Sequence, residues 1–159
     1  MPVVNTYVPS DMKITLAANY VVGGVVSMSI EFPRERFKTI PGIKGQHARV
    51  GIEDTSCVLT LELLQTTTAN DVLSNILSQD LLTGRGRLEI NIQDNSGTSN
   101  IHSTNAFINN FPQAQYNGEL STRTWTITML NTETIFVGGN NRFKPSLIEQ
   151  AATFVGGLF

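Results

Sequence analysis

The sequence predicts a mainly β domain with one or two short helices, on three observations. Apolar and polar residues alternate along residues 25–32, 57–64, 87–93 and 120–130, the period of strands with one buried face. Within residues 68–78 the spacing changes to three and four, which marks an amphipathic helix. The chain has 159 residues, 40% of them hydrophobic and 15% charged, enough for one core but short of the usual charge. In a chain rich in Thr, Ser, Asn and Gln, that shortage suits a polar surface that meets other protein.

Taken in order, residues 1–11 hold Pro2 and Pro9 and no periodicity, so they read as an extended arm. Residues 12–16 form a short strand with Met12, Ile14 and Leu16 on one face, and Gly23-Gly24 turns the chain. In the next strand Val26, Met28, Ile30 and Phe32 face inward, with Ser27, Ser29 and Glu31 opposite. Pro33 ends that ladder because it has no N–H to donate. Residues 34–50 read as a long hairpin whose tip carries Pro41, Gly42 and Gly45. It holds five of the eleven basic residues, Arg34, Arg36, Lys38, Lys44 and Arg49, against Glu35 as its one acid. Two readings stand side by side: a solvated projecting loop, or a basic arm reaching an acidic surface on another subunit.

The centre of the chain is residues 54–80. Leu59, Leu61 and Leu63 recur at every second position and mark the buried face of a strand. Thr68 stands where an N-cap belongs, Asp71 follows as in a capping box, and Val72, Leu73, Ile76 and Leu77 form the apolar stripe of the helix. A helix of about three turns is marginal alone in water, so it must bury that stripe on the strands around it.

Gly84 and Gly86 then read as a helix stop and a turn, without the third glycine and the strand-before, helix-after context of a phosphate loop. Leu88, Ile90 and Ile92 face inward along the next strand, and Asp94-Asn95-Ser96-Gly97 is a turn lacking the acidic register of a calcium loop. Residues 98–108 read as a polar edge strand, followed by a loop through Pro112 and a turn at residues 116–118. Along residues 120–130 the two faces differ: Arg123, Trp125, Ile127 and Met129 on one, Thr122, Thr124, Thr126 and Thr128 on the other. Trp125 anchors the apolar side in the core. The threonine row faces water, pairs across strands, or lines a wet internal channel. Residues 135–141 pass through a Gly-Asn loop. Residues 145–155 read as a second short helix, with Pro145 in its first turn, Gly156-Gly157 ending it, and an apolar tail.

Chemistry is not written in this pattern. His47 and His102 lie far apart with no metal-ligand spacing, and no nucleophile elbow, P-loop or helix-borne HExxH occurs. No catalytic, metal or cofactor residues are assigned, and an enzyme is not expected. The net charge of −2 argues against a dedicated nucleic-acid binder. Cys57 is the one cysteine, so an intrachain disulfide is excluded. The sequence has no signal-like start and no run of eighteen apolar residues, so membrane insertion is not expected.

The order of these elements carries a resemblance. The hairpin containing PGIKGQHARV, the block DTSCVLTLELLQTTTANDVLSNILSQD, the strand GRGRLEINIQD and the late strand TRTWTITM together resemble the small tail tube proteins of contractile-tailed phages. The resemblance covers nearly the whole chain and is most specific over residues 59–80. It implies one tail-tube-like domain over residues 1–159, with an arm at 1–11, a projecting hairpin at 34–50 and a C-terminal segment at 142–159. The implied fold is a β-barrel or sandwich of two packed antiparallel sheets with a flanking helix. The implied role is that of a virion protein, assembled in the host cytoplasm, whose hexameric rings stack into the tube that conducts the genome.

By the same resemblance its partners are other copies of itself, the tail sheath, the baseplate and the tape-measure protein, with DNA passing non-specifically and no cofactor. The hairpin becomes an inter-ring or inter-subunit contact, and Ser27, Ser29, Glu31 and the threonine row become candidates for the lumen. Three alternatives remain at this level: a single-ring tube initiator or terminator, a secretion-system ring of the same superfamily, and a monomeric β-sandwich binding module.

Overall fold

The computed structural model describes residues 7–17 and 20–140. After a 3-10 turn at Pro9–Asp11, the strands are β1 (Met12–Leu16), β2 (Tyr20–Val21), β3 (Val25–Glu31), β4 (Phe37–Pro41), β5 (His47–Gly51) and β6 (Cys57–Leu64). A helix, α1 (Ala69–Thr83), leads to β7 (Leu88–Asp94), β8 (Asn100–Ile108) and β9 (Thr122–Phe136). The helix and C-terminal segment expected beyond residue 141 lie outside the described residues.

Seven strands form one antiparallel sheet in the order β2-β1-β7-β8-β9-β6-β3, and β4 and β5 make a separate two-stranded sheet. The large sheet curls into a half-barrel, so the mainly β, barrel-like class expected from the sequence is met. Its inner face gathers Leu59, Leu61 and Leu63 of β6 with Trp125, Ile127 and Met129 of β9, and Ile14, Leu16, Ile90 and Ile92 from β1 and β7. Among the described residues the barrel does not close. β3 is one terminal strand, and between it and β1–β2 lies a cavity of about 530 Å³ lined by Met12, Ile14 and Val22 on one side and Val25, Val26 and Met28 on the other.

Helix α1 rests on this core through Ala69, Leu73 and Leu77. Ile76 packs at its margin, while Val72, expected as a core anchor, is half-buried outside the cluster. Asn70 takes the inward place instead: its amide donates to the carbonyls of Leu64 (2.9 Å) and Thr67 (3.2 Å), and its Oδ1 accepts the Trp125 indole N–H at 2.9 Å. Thr68 is the N-cap, but its hydroxyl makes no capping bond. The helix runs five residues past the expected range, because nothing breaks it before Gly84. That residue, at φ +69°, supplies the left-handed cap, and its N–H meets the Asp80 carbonyl.

Three strand assignments are corrected. β8 is not an edge strand; it lies between β7 and β9. A register shift against β7, where Ser103 and Ala106 of β8 face Ile90 and Leu88, adds a residue to β8 and breaks its alternation, so Ile101, Ser103, Ala106 and Ile108 are all buried although they do not share one parity. β9 continues to Phe136, past the expected end at 130, through a turn of the backbone at Asn131, φ +48°. Val26 is exposed because a shift between Val25 and Ser27 lets it leave the ladder.

Candidate functional site: a polar sheet face and an exposed hairpin

β3, β6 and β9 turn one face to the core, and the other face is polar apart from Val58 and Leu64 of β6. Their register sets Ser27 beside Glu62 and Glu62 beside Thr124, Ser29 beside Thr60 and Thr60 beside Thr126, and Glu31 beside Val58 and Val58 beside Thr128. The residues singled out on two separate strands, Ser27, Ser29 and Glu31 with Thr122, Thr124, Thr126 and Thr128, thus share one surface. β6 sits between them and supplies Thr60 and Glu62, which sequence reasoning passed over because the leucine row of that strand took the attention. The signal was present as the polar half of the same alternation.

Glu62 is the centre of this face. Its carboxylate accepts the Thr122 hydroxyl at 2.7 Å and the Ser27 hydroxyl at 2.8 Å, tying β9, β6 and β3 together. Those two hydroxyls hold the carboxyl below the usual glutamate range, so it is ionised at neutral pH. Thr128 donates to Asn109 Oδ1 at 2.7 Å and closes the far end of the row. Glu31 and Glu62 are the charged groups among the paired residues of this face, and neither sign nor spacing offers a phosphate a place to bind.

The hairpin is a different surface. All ten residues of β4 and β5 are exposed. A lone two-stranded ribbon is marginal in water, so its order depends on what holds its root and what covers its faces. At the root, Arg34 pairs with Asp54 at 3.3 Å, Arg36 donates to the Asp54 carbonyl, and the Ile52 N–H reaches the Arg36 carbonyl at 2.8 Å. The Ser56 N–H and then its hydroxyl, with help from both arginines, hold the Asp54 carboxyl low. Of the two hairpin faces, one places Arg49 over the Phe37 ring at 4.2 Å, and the other combines Lys38 with Ile40, Ala48 and Val50. The five cations therefore do not form one patch: Arg34 and Arg36 brace the root, Arg49 covers an aromatic ring, and Lys38 and Lys44 project.

Among the described residues, no group of three or more His, Cys, Asp or Glu side chains is placed to hold a metal ion. Cys57 is fully buried, and burial pushes its thiol up against the opposing effect of the Thr132 hydroxyl. No helix among the described residues is long and apolar enough to cross a membrane.

No protein-family model matches the chain. It shares a fold, at a TM-score of 0.58 and 14% identity, with a chain of the virion of a native gene transfer agent particle, over 81% of this chain and 100% of that one. A second chain, from the tail of an empty gene transfer agent particle refined helically with C6 symmetry, matches at a TM-score of 0.58 and 12% identity over the same shares. In sequence it is 30% identical over 154 residues to structural protein ORF10 of Pseudomonas phage KPP10, covering 89% of this chain and 87% of that one. The chain belongs to the family of that phage structural protein.

Proposed function

We propose that this protein is the building block of a contractile phage tail tube, with six copies closing each ring and rings stacking around a channel for the genome. The observation that carries the reading is the polar face of β3, β6 and β9, which ends at β3, a terminal strand of the sheet among the described residues. A subunit whose sheet ends, among the described residues, at β3 and whose adjoining face is polar apart from Val58 and Leu64 is suited to continue its sheet into a neighbour. Repeated around a sixfold axis, Ser27, Ser29, Glu31, Thr60, Glu62 and the threonine row would form the inner wall. Two carboxylates and no cation among the paired residues of that face would repel phosphates and keep DNA from binding in transit.

The family relationship supports a structural role, and the C6 tail from which a fold neighbour comes supports the symmetry. In this reading the whole chain is one tube domain, residues 34–50 are the arm that contacts the next copy, and residues 1–11 and 142–159 are its terminal extensions. The tail sheath, baseplate and tape-measure protein are its partners in the virion, and it assembles in the host cytoplasm. In this reading its work is done by assembly.

Electron microscopy and light scattering of the purified chain over a concentration and salt series test this. Open-bore tubes with sixfold cross-sections are expected. A single stable ring would replace the tube body with an initiator or terminator, and a monomer under every condition would overturn the proposal. Within tubes, Glu31→Lys and Glu62→Lys should introduce salt-dependent DNA retention that the parent lacks.

A further inference from the structure

The connection from β8 to β9 carries Tyr116-Asn117-Gly118-Glu119, the one Asn-Gly step in the sequence. Residues 113–120 are all exposed, so water reaches this turn from every side. The Asn117 Oδ1 accepts the Glu119 N–H at 2.9 Å, and the ring this bond closes contains both the Asn117 Cγ and the Gly118 nitrogen. That nitrogen is open to react: among the described residues the Gly118 N–H meets no acceptor, and nothing lies within 4 Å of where a Cβ would stand.

Two other exposed asparagines of turns and loops are built differently. After Asn95 comes Ser96, which is buried and whose N–H donates to Asp94 Oδ1 at 3.0 Å. After Asn110 comes Phe111, whose N–H donates to Asn110 Oδ1 at 2.8 Å and whose ring lies 6.5 Å from that of Trp125. In both, the backbone nitrogen next in the chain is already held. At Asn117 it is not.

We propose that Asn117 is a site of spontaneous covalent modification, in which the Gly118 nitrogen displaces the side-chain amide. The nitrogen gives its proton to solvent hydroxide and bonds to Cγ; the Cγ–Nδ2 bond breaks, and the amide leaves as ammonia with a proton from water. The Glu119 N–H donates to the oxygen that turns negative during the attack, which favours this step. Water then opens the five-membered imide at either carbonyl, giving aspartate or isoaspartate with no oxidation or reduction. Each event adds one negative charge to the formal net charge of −2, next in the chain to Tyr116, whose ring lies 5.3 Å from the Arg123 guanidinium.

The test is peptide mass spectrometry of the full, unpolymerised chain held at mildly alkaline pH, folded or in urea. Folding should slow conversion at Asn117 by no more than about threefold and at Asn95 by at least about tenfold. A larger slowing at Asn117 would overturn the proposal, as would a product containing no isoaspartate. Gly118→Ala supplies a second arm: the residue is not left-handed and has open space, so the variant should keep the parent's unfolding midpoint. Its conversion at Asn117 should fall at least about fivefold, because the added methyl crowds the attacking nitrogen. A smaller fall would mean that water hydrolyses the amide directly, and would also overturn it.

Discussion

Replacing Asn70 by Ala tests whether the helix is locked to the sheet by one buried polar contact. Asn70 is 7% exposed and Trp125 1%, so neither can turn to water. Without the Asn70 Oδ1, the indole N–H loses its acceptor, at about 1–3 kcal/mol for a buried unsatisfied donor. The Leu64 and Thr67 carbonyls each keep another backbone donor, from Thr67 and from residue 70 itself, so losing the side-chain amide adds only about 1 kcal/mol. The sum is about 2–4 kcal/mol. With a urea slope of about 2 kcal/mol/M for a domain of this size, the unfolding midpoint should fall by about 1–2 M, measured by far-UV circular dichroism at a concentration where the chain is unpolymerised. Trp125→Phe removes the same bond from the other side, so the double variant should cost less than the two singles added together. Additive losses, or a midpoint shift below about 0.3 M for Asn70→Ala, would refute the reasoning and leave the helix held by Leu73 and Leu77 alone.

Other consequences can be measured on the same preparation. Glu62 has its folded pKa lowered by Thr122 and Ser27, so its contribution is fully present above the ordinary value of 4.5 and is lost as pH falls through the lower folded value. Glu62→Gln should flatten the acid limb of the unfolding midpoint plotted against pH. On the hairpin, Ile40→Asp or Val50→Asp should leave subunit stability within about 0.5 kcal/mol, because both side chains are about half exposed, and should abolish any polymer seen by microscopy. Gly97→Ala would drive a Cβ into the Gly139 carbonyl and to 2.8 Å from the Asn140 Cα, both backbone, and should destabilise by about 1–3 kcal/mol in urea unfolding. Cys57 should resist a thiol reagent in the folded chain and react fully in denaturant.

How much of this was legible in the sequence depended on whether one period held along a segment. β6 and the first part of β9 alternate without interruption, so their buried rows and the anchoring of Trp125 could be read directly. β8 could not: the extra residue between Ser103 and Ala106, opposite Ile90 and Leu88 of β7, changes which parity faces inward, and its buried Ser103 is satisfied by the Leu130 carbonyl at 2.9 Å, a partner 27 residues away. Nothing in the helix spacing marks Asn70 as buried either, since the Trp125 indole that makes its burial tolerable arrives from another strand. Of the candidate faces, each strand's polar row was visible alone. Their union across β6 was not, because strand order is a non-local property that β3, β6 and β9 reach only through the fold.

The polar face and the core are therefore two halves of one register. Sliding β3 by one residue against β6 would carry Ser27, Ser29 and Glu31 inward and put Met28 and Ile30 on the polar face. The inner row opposes that slide, since Met28 and Ile30 pack at the margin of a cluster that contains Leu59 and Leu61, their ladder partners. The outer row opposes it too, since the Ser27–Glu62 bond forms only in the observed register. A change in the core at Leu61 should thus be felt on the polar face, and exchange or assembly defects from a Leu61 variant would not require that residue to touch a partner. The outer edge of β3, terminal in the sheet among the described residues, inherits the same register: the polar side of its seven residues is already decided before any second copy arrives.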